Sequence, residues 1–146
     1  MLDQALIFLF RAKKSTYAAH GVESTPSRPN SHDLRYDEDS FTYIDTYLGG
    51  KRFAGEEALW IDGSPVWSMN YCGRVLDSRF DGDFLKRALL HVPLERPFRG
   101  PAVYAEGRTH YLCQVDGSID WFQGYEEILL DDERVYECYF HGGAIK

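Results

Sequence analysis

A chain of 146 residues is long enough to bury one sizeable core, and it reads most simply as a single domain over residues 1–146. Its net charge of −7 speaks against a sequence-independent grip on phosphate backbones, and its longest apolar runs are too short to span a bilayer, so neither direct nucleic-acid binding nor membrane insertion is expected. Cys72, Cys113 and Cys138 show no metal-binding or redox spacing and read as reduced thiols of a cytoplasmic protein, with no metal and no cofactor called for.

Residues 3–19 read as a helix. Asp3 can cap it, Leu6, Leu9, Phe10 and Tyr17 recur near helical spacing, Lys13 and Lys14 suit its carbonyl end, and Gly21 ends it. The basic residues follow the apolar run, the reverse of a secretory signal, so no targeting segment is expected. The helix serves either as a lid on a sheet or as an exposed amphipathic partner helix. Residues 22–31, with two Pro and three Ser, form a solvated linker or a binding loop to which Ser27, Arg28 and Ser31 give polar reach.

Two alternating runs, HDLRY and FTYIDTYL, flank an acidic turn and predict a β-hairpin with Tyr36 facing Phe41, Leu34 facing Tyr43 and His32 facing Asp45. This register sets an imidazole across from a carboxylate, as a hydrogen-bonded His32–Asp45 pair or a structural ion pair at a core edge. Gly49-Gly50 turn the chain into a strand over Glu56–Ile61. Asp62-Gly63-Ser64-Pro65 turn it again, and Val66–Cys72 returns with Trp67, Met69 and Tyr71 on a core face and Ser68, Asn70 and Cys72 on a polar one. Residues 81–92 form a second helix, capped by Asp81 or Asp83, striped by Phe84, Leu85, Ala88, Leu89 and Val92, and stopped by Pro93. The stiff PLERPFRGP segment then presents Arg96 and Arg99, to a carboxylate or phosphate ligand or to the acidic surface. Strands over 102–106 and 109–115, a turn at Asp116-Gly117, strands over 118–122, 126–130 and 135–140, and a turn at Asp131-Asp132-Glu133 complete the chain. The expected architecture is α+β: a curved antiparallel sheet of seven to nine strands with two helices packed on it.

An internal echo runs through this pattern. Phe53-Ala-Gly-Glu-Glu-Ala-Leu aligns with Phe122-Gln-Gly-Tyr-Glu-Glu-Ile-Leu, and Asp62, Val66-Trp67, Tyr71 and Gly73 align with Asp132, Val135-Tyr136, Phe140 and Gly142. The alignment takes one insertion at Tyr125 and one deletion in the turn. Two related hairpins in one sheet, a pseudo-two-fold, or convergent hairpin chemistry would each produce it. The echo gathers Ser68, Asn70, Glu137, Tyr139 and His141 on one face. The paired acids Glu56-Glu57 and Glu126-Glu127 put one carboxylate on each face of their hairpins, either for acid–base work or as one solvated group and one loop cap.

The combination TYA…SRPNSHDLRY, YIDTYLGG, FAGEE, PVWSMNYCGRVL, FLKRALLHVP, FRGP and VYECYFHGG resembles an uncharacterised bacterial and archaeal domain family whose members occur alone or behind a phage-repressor-type helix-turn-helix domain. The resemblance implies no activity. Behind a DNA-binding domain such a module senses a ligand or mediates assembly, an analogy of context rather than of site.

No nucleophile elbow, P-loop, dinucleotide fingerprint or zinc-protease motif is present, and no catalytic residue is assigned. Polar groups set among aromatic strands point instead to a small-molecule binding or sensor module. The candidate ligand-binding residues are Arg28, Ser31, His32, Tyr43, Asp45, Tyr47, Glu56, Trp67, Asn70, Arg99, Glu137 and His141, with a nucleotide-like or other planar polar ligand stacking on Trp67 or Trp121. A hydrolase-type enzyme using the His32–Asp45 pair and a protein-interaction module, such as a homodimer, are the alternatives.

Overall fold

The computed structural model describes residues 2–146. The helix α1, Leu2–Ser15, buries Phe8, Leu9 and Ala12, holds Asp3 within its first turn and carries Lys13 and Lys14 in its last. A 3-10 turn, Tyr17–Ala19, follows, and His20 in the left-handed region ends the helical stretch just before the expected Gly21. Four strands come next: β1 (His32–Glu38), β2 (Phe41–Gly49), β3 (Arg52–Ile61) and β4 (Ser64–Val75). Then α2, Gly82–Leu90, is capped by the Asp81 side chain, which accepts from the Asp83 N–H, and it buries Phe84, Leu85, Ala88 and Leu89. Strands β5 (Val103–Glu106), β6 (Thr109–Ser118), β7 (Trp121–Leu130) and β8 (Glu133–Ala144) complete the chain.

All eight strands form one open antiparallel sheet in the order β1-β2-β3-β4-β8-β7-β6-β5, so the α+β architecture is as the sequence predicts. Phe8 of α1 stacks against Phe41 and packs tilted against Tyr36, and Phe84 of α2 stacks against Tyr104. Both helices therefore cover the same face, called inner below, where Tyr43, Met69, Tyr111, Tyr136, Cys138 and Phe140 form the core. The outer face carries no helix.

The strand order has a dyad. The two four-stranded meanders meet where β4 pairs with β8, and the echo is gapless in structure. Glu57 opposes Met69 as Glu126 opposes Cys138, and both hairpins shift register at the same place, after Leu59 and after Ile128. Both turn through left-handed pairs, Asp62-Gly63 and Asp131-Asp132. The counterpart of Glu57 is thus Glu126 and that of Asp62 is Asp131, with no insertion at Tyr125. Tyr71 and Phe140, counterparts of one another, are also direct partners, so the dyad passes between them. The repeat extends to the helices: Phe8-Leu9-x-Arg11-Ala12 recurs as Phe84-Leu85-x-Arg87-Ala88, with the same apolar residues buried. Arg11 bonds Glu38, which also accepts from Tyr36; Arg87 bonds Glu106, which also accepts from Tyr104. The chain is built of two α-β-β-β-β units.

The aromatic-x-Gly motif has a packing reason in this repeat. Phe53 opposes Gly73 and Tyr71 opposes Gly55 on β3 and β4; Phe122 opposes Gly142 and Phe140 opposes Gly124 on β7 and β8. Each ring lies over a partner that lacks a side chain. A Cβ on Gly124 would come within 2.2 Å of the Phe140 ring and 2.7 Å of the Gln114 carbonyl oxygen. Gly124→Ala is expected to destabilise by roughly 1–3 kcal/mol through overpacking. Chemical denaturation checks this, and an unchanged midpoint would show that the ring can move aside.

Two turns differ from expectation. The β1–β2 turn is Asp39-Ser40, with Glu38 opposite Phe41, so His32 faces Tyr47, Leu34 faces Asp45 and Tyr36 faces Tyr43. The slip of two residues preserves each side chain's face, which is why the apolar pattern alone does not fix it. Asp116-Gly117 is not the β6–β7 turn: both stay in β6, Gly117 at φ 102°, and the chain reverses at Ile119-Asp120.

Candidate functional site

The predicted residues fall on two faces. His32, Asp45, Tyr47 and Arg99 come together on the inner face around a cavity of about 330 Å³, which is also lined by Tyr17, Phe53, Tyr71, Phe80 and Tyr136. Tyr43 lies in the core beside it. Trp67 is core as well, its indole N–H donating to the Ile119 carbonyl at 3.1 Å, so it is no stacking platform. Glu56, Asn70, Glu137 and His141 lie on the outer face, as the shared face of Ser68, Asn70, Glu137, Tyr139 and His141 requires. There, Ser68, Asn70, Gln123 and His141 flank a groove of about 490 Å³ beside Trp121, which is 82% exposed. Arg28 and Ser31 belong to a loop tied to the outer side of the sheet edge. Asp33, paired with Thr46, accepts from the hydroxyls of Ser27, Ser31 and Thr46 and from the Ser27 N–H. Those bonds hold its carboxyl below the ordinary carboxylate range against the opposing effect of burial. A single twelve-residue site is therefore excluded.

The His32–Asp45 pair does not form. His32 Nδ1 lies 2.5 Å from Glu23 Oε1, and the ring stacks on Tyr47 at 4.8 Å. Asp45, 5% exposed, accepts from the Tyr71 hydroxyl at 2.5 Å. Burial, reinforced by the charge of Glu57 directly opposite on β3, pushes its carboxyl up to about 7. The Tyr71 hydrogen bond and the charges of Arg99 and Lys13 act the other way.

Beneath the cavity lie two buried ion pairs that sequence reasoning places elsewhere. Of each Glu pair, one member is buried on the inner face rather than capping a loop. Glu57 accepts from Lys13 Nζ at 2.6 Å and from the Tyr43 hydroxyl. Glu126, wholly buried, accepts from Arg99 Nη2 at 2.6 Å, from the Tyr136 hydroxyl at 2.8 Å and from the Tyr111 hydroxyl. Tyr43 and Tyr111 are counterparts in the two units, as their registers against Leu59 and Ile128 show. Each unit thus holds a buried Tyr–Glu–cation group. Burial lowers the Lys13 ammonium against the raising effect of Glu57, and burial raises the phenols of Tyr43, Tyr71, Tyr111 and Tyr136. Arg99, expected to project outward, is instead buried against Glu126 with its guanidinium 5.2 Å from the Tyr71 ring centre.

The units differ where the cavity lies. The counterpart of Asp45 is Cys113, opposite Glu126 as Asp45 is opposite Glu57. The counterpart of Lys13 in the helix motif is Leu89, so the second unit takes its cation from the loop after α2. Phe98 of that same loop covers Phe122, with ring centres 4.3 Å apart, whereas Phe122's counterpart Phe53 lines the open cavity. Burial pushes the Cys113 thiol up to about 11 and that of Cys138 to about 12, which keeps both protonated at neutral pH. Among the described residues no three His, Cys, Asp or Glu side chains gather as metal donors, and no helix is long and apolar enough to cross a membrane.

No curated protein and no solved structure matches the chain. A family defined as a domain of unknown function (DUF5680) does match, over residues 45–145, from the middle of β2 through the end of β8. The match takes in Asp45, Tyr71, Arg99 and both buried glutamates, and by it this chain belongs to that family.

Proposed function

We propose that this domain binds a small organic molecule in the inner-face cavity and performs no chemistry on it. The observation that carries the reading is the break in the repeat: in one unit Phe98 covers Phe122 and leaves a smaller, mostly apolar space of about 180 Å³ beside Leu9, Trp67 and Ala144, whereas the other keeps the larger cavity, with Asp45 at its opening. The volume of about 330 Å³ and the aromatic walls suit a mono- or bicyclic molecule. A nucleotide, the wider class suggested by the sequence, fits less well, because Arg99 is already bonded to Glu126 and Trp67 is inside the core. If the chain works beside a DNA-binding domain, occupancy of this cavity would be the signal it passes on.

Native mass spectrometry against a denatured control tests the reading. A non-covalent mass that disappears on denaturation, or on the cavity-filling change Val75→Phe in a variant that still folds, is the expected result. A ligand retained by Val75→Phe would place binding elsewhere, with the outer groove as the first alternative. The same spectrum counts subunits, and a dimer that never takes up ligand would favour an interaction module instead.

A further inference from the structure

We infer that the cavity takes a small organic monocation, an amine or amidine on a compact apolar frame, whose charge Asp45 receives. The inference rests on the reading that the cavity binds small molecules, and it names their charge class. The inner face buries three carboxyl groups, Asp45, Glu57 and Glu126, beside two cations, Lys13 and Arg99. Lys13 is bonded to Glu57 and to the Phe98 carbonyl, and Arg99 is bonded to Glu126 through both Nε and Nη2. Asp45 is left over. One of its oxygens accepts from Tyr71, and its other oxygen has no protein donor among the described residues. Among the described residues no wholly buried side-chain oxygen or nitrogen lacks a partner, so this second oxygen opens on the cavity, where a cation can take the place of water beside it.

The walls suit the cation. Tyr17, Tyr47, Phe53, Phe80 and Tyr136 line the space, and ring faces attract ammonium and amidinium groups. The repeat gives the same answer by subtraction. In the second unit the counterpart of Asp45 is the neutral thiol of Cys113, and there the counterpart ring Phe122 is covered by Phe98. The larger space thus accompanies the unpaired carboxyl, while the smaller space at the counterpart position, beside Leu9, Trp67 and Ala144, has mostly apolar walls.

Around Asp45, the groups that bear charge or titrate are Glu57 of β3, Lys13 of α1, Arg99 of the loop after α2, the phenols of Tyr17, Tyr43, Tyr47, Tyr71 and Tyr136, and the His32 imidazole across the cavity. Lys13 and Arg99 keep their partners whatever the ligand, so the charge that binding has to meet is that of Asp45. A cation binds its ionised form and expels a proton. A neutral acceptor would instead bind the protonated form and lose affinity as pH rises.

Three probes of one shape and different charge test this: benzamidine, benzamide and benzoate, titrated by calorimetry at pH 6 and pH 8. Benzamidine is expected to bind at least tenfold more tightly than benzamide. It should tighten by about tenfold from pH 6 to pH 8, as Asp45 goes from mostly protonated to mostly ionised. It should lose both advantages in Asp45→Asn, and benzoate should not bind. His32→Gln should keep the pH dependence, which assigns it to Asp45. Equal or tighter binding of benzamide or benzoate overturns the charge class and leaves the cavity a binding site. No binding by any of the three at millimolar concentration overturns the cavity reading together with the charge class.

Discussion

Arg99→Met is expected to lower the stability of the domain by about 3–5 kcal/mol, the range for removing one partner of a buried ion pair. The reason lies in Glu126. Its carboxylate is fully buried, and its donors are Arg99, Tyr111 and Tyr136. Without the guanidinium, two phenols would have to support a full negative charge away from water. The charge itself is then the cost, so Glu126→Gln placed on top of Arg99→Met should recover much of the loss, since the amide oxygen still accepts from one tyrosine and the amide NH2 can donate to the hydroxyl oxygen of the other. Urea unfolding of the two single variants and the double variant closes the cycle. At this chain length the single Arg99 variant should melt roughly 10 °C lower. A change under about 1 kcal/mol would show that water or a shifted Lys13 takes over the role of Arg99.

The second large effect is a stability curve that bends the unusual way with pH. A buried carboxyl raised to about 7 is still protonated in the folded chain at pH values where the unfolded chain has released its proton. Between roughly pH 4 and pH 7 the folded state therefore binds more protons than the unfolded one, and stability due to this group falls as pH rises. The contribution of Asp45 is complete below its unfolded value, near 4, and is gone once the pH has passed about 7. Asp33 works in the opposite sense, since its lowered value favours the folded state as pH increases. The difference between wild type and Asp45→Asn isolates the one residue. The two should melt together near pH 4, and the variant should be the more stable at pH 8 by up to roughly 4 kcal/mol. Parallel melting curves from pH 4 to pH 8 would mean that Asp45 ionises like an exposed carboxyl and that the cavity is better hydrated than its walls suggest.

Much of this architecture could be read from the sequence because local patterns and tertiary demands agree. The stripes Phe84-Leu85-Ala88-Leu89 and Trp67-Met69-Tyr71 are the buried faces of α2 and β4. The β1–β2 register was not legible, because Asp37 to Ser40 can all occupy a turn and a slip of two residues leaves every side chain on its own face. The site was legible in part. His32, Asp45, Tyr47 and Arg99 do share a cavity, but Glu57, Glu126, Tyr71 and Lys13 are charged or polar types that sequence reasoning assigns to surface or core. Only the packing of α1 and of the loop after α2 on the sheet, with Tyr71 reaching across β3 to Asp45, reveals that each has a buried partner. The helix motif Phe-Leu-x-Arg-Ala stands twice in the sequence, yet as an amphipathic pattern it is ordinary. It becomes a repeat once the dyad between β4 and β8 superposes the two units.

That dyad also sets the order in which the sheet can be completed. The strand at its centre, β8, is the last of the eight to be synthesised, and its partner β4 precedes it by a whole helix and three strands. A nascent chain can form α1 and the first meander from neighbouring segments, but β4 remains an open edge until β8 emerges, and the stretch bridging them carries a high loop-closure cost. During that interval the hydrogen-bonding edge of β4, with Trp67, Met69 and Tyr71 beside it, is the most association-prone part of the molecule. Protection of the half-made sheet during synthesis is thus a demand the topology places on the cell, apart from anything the finished domain binds.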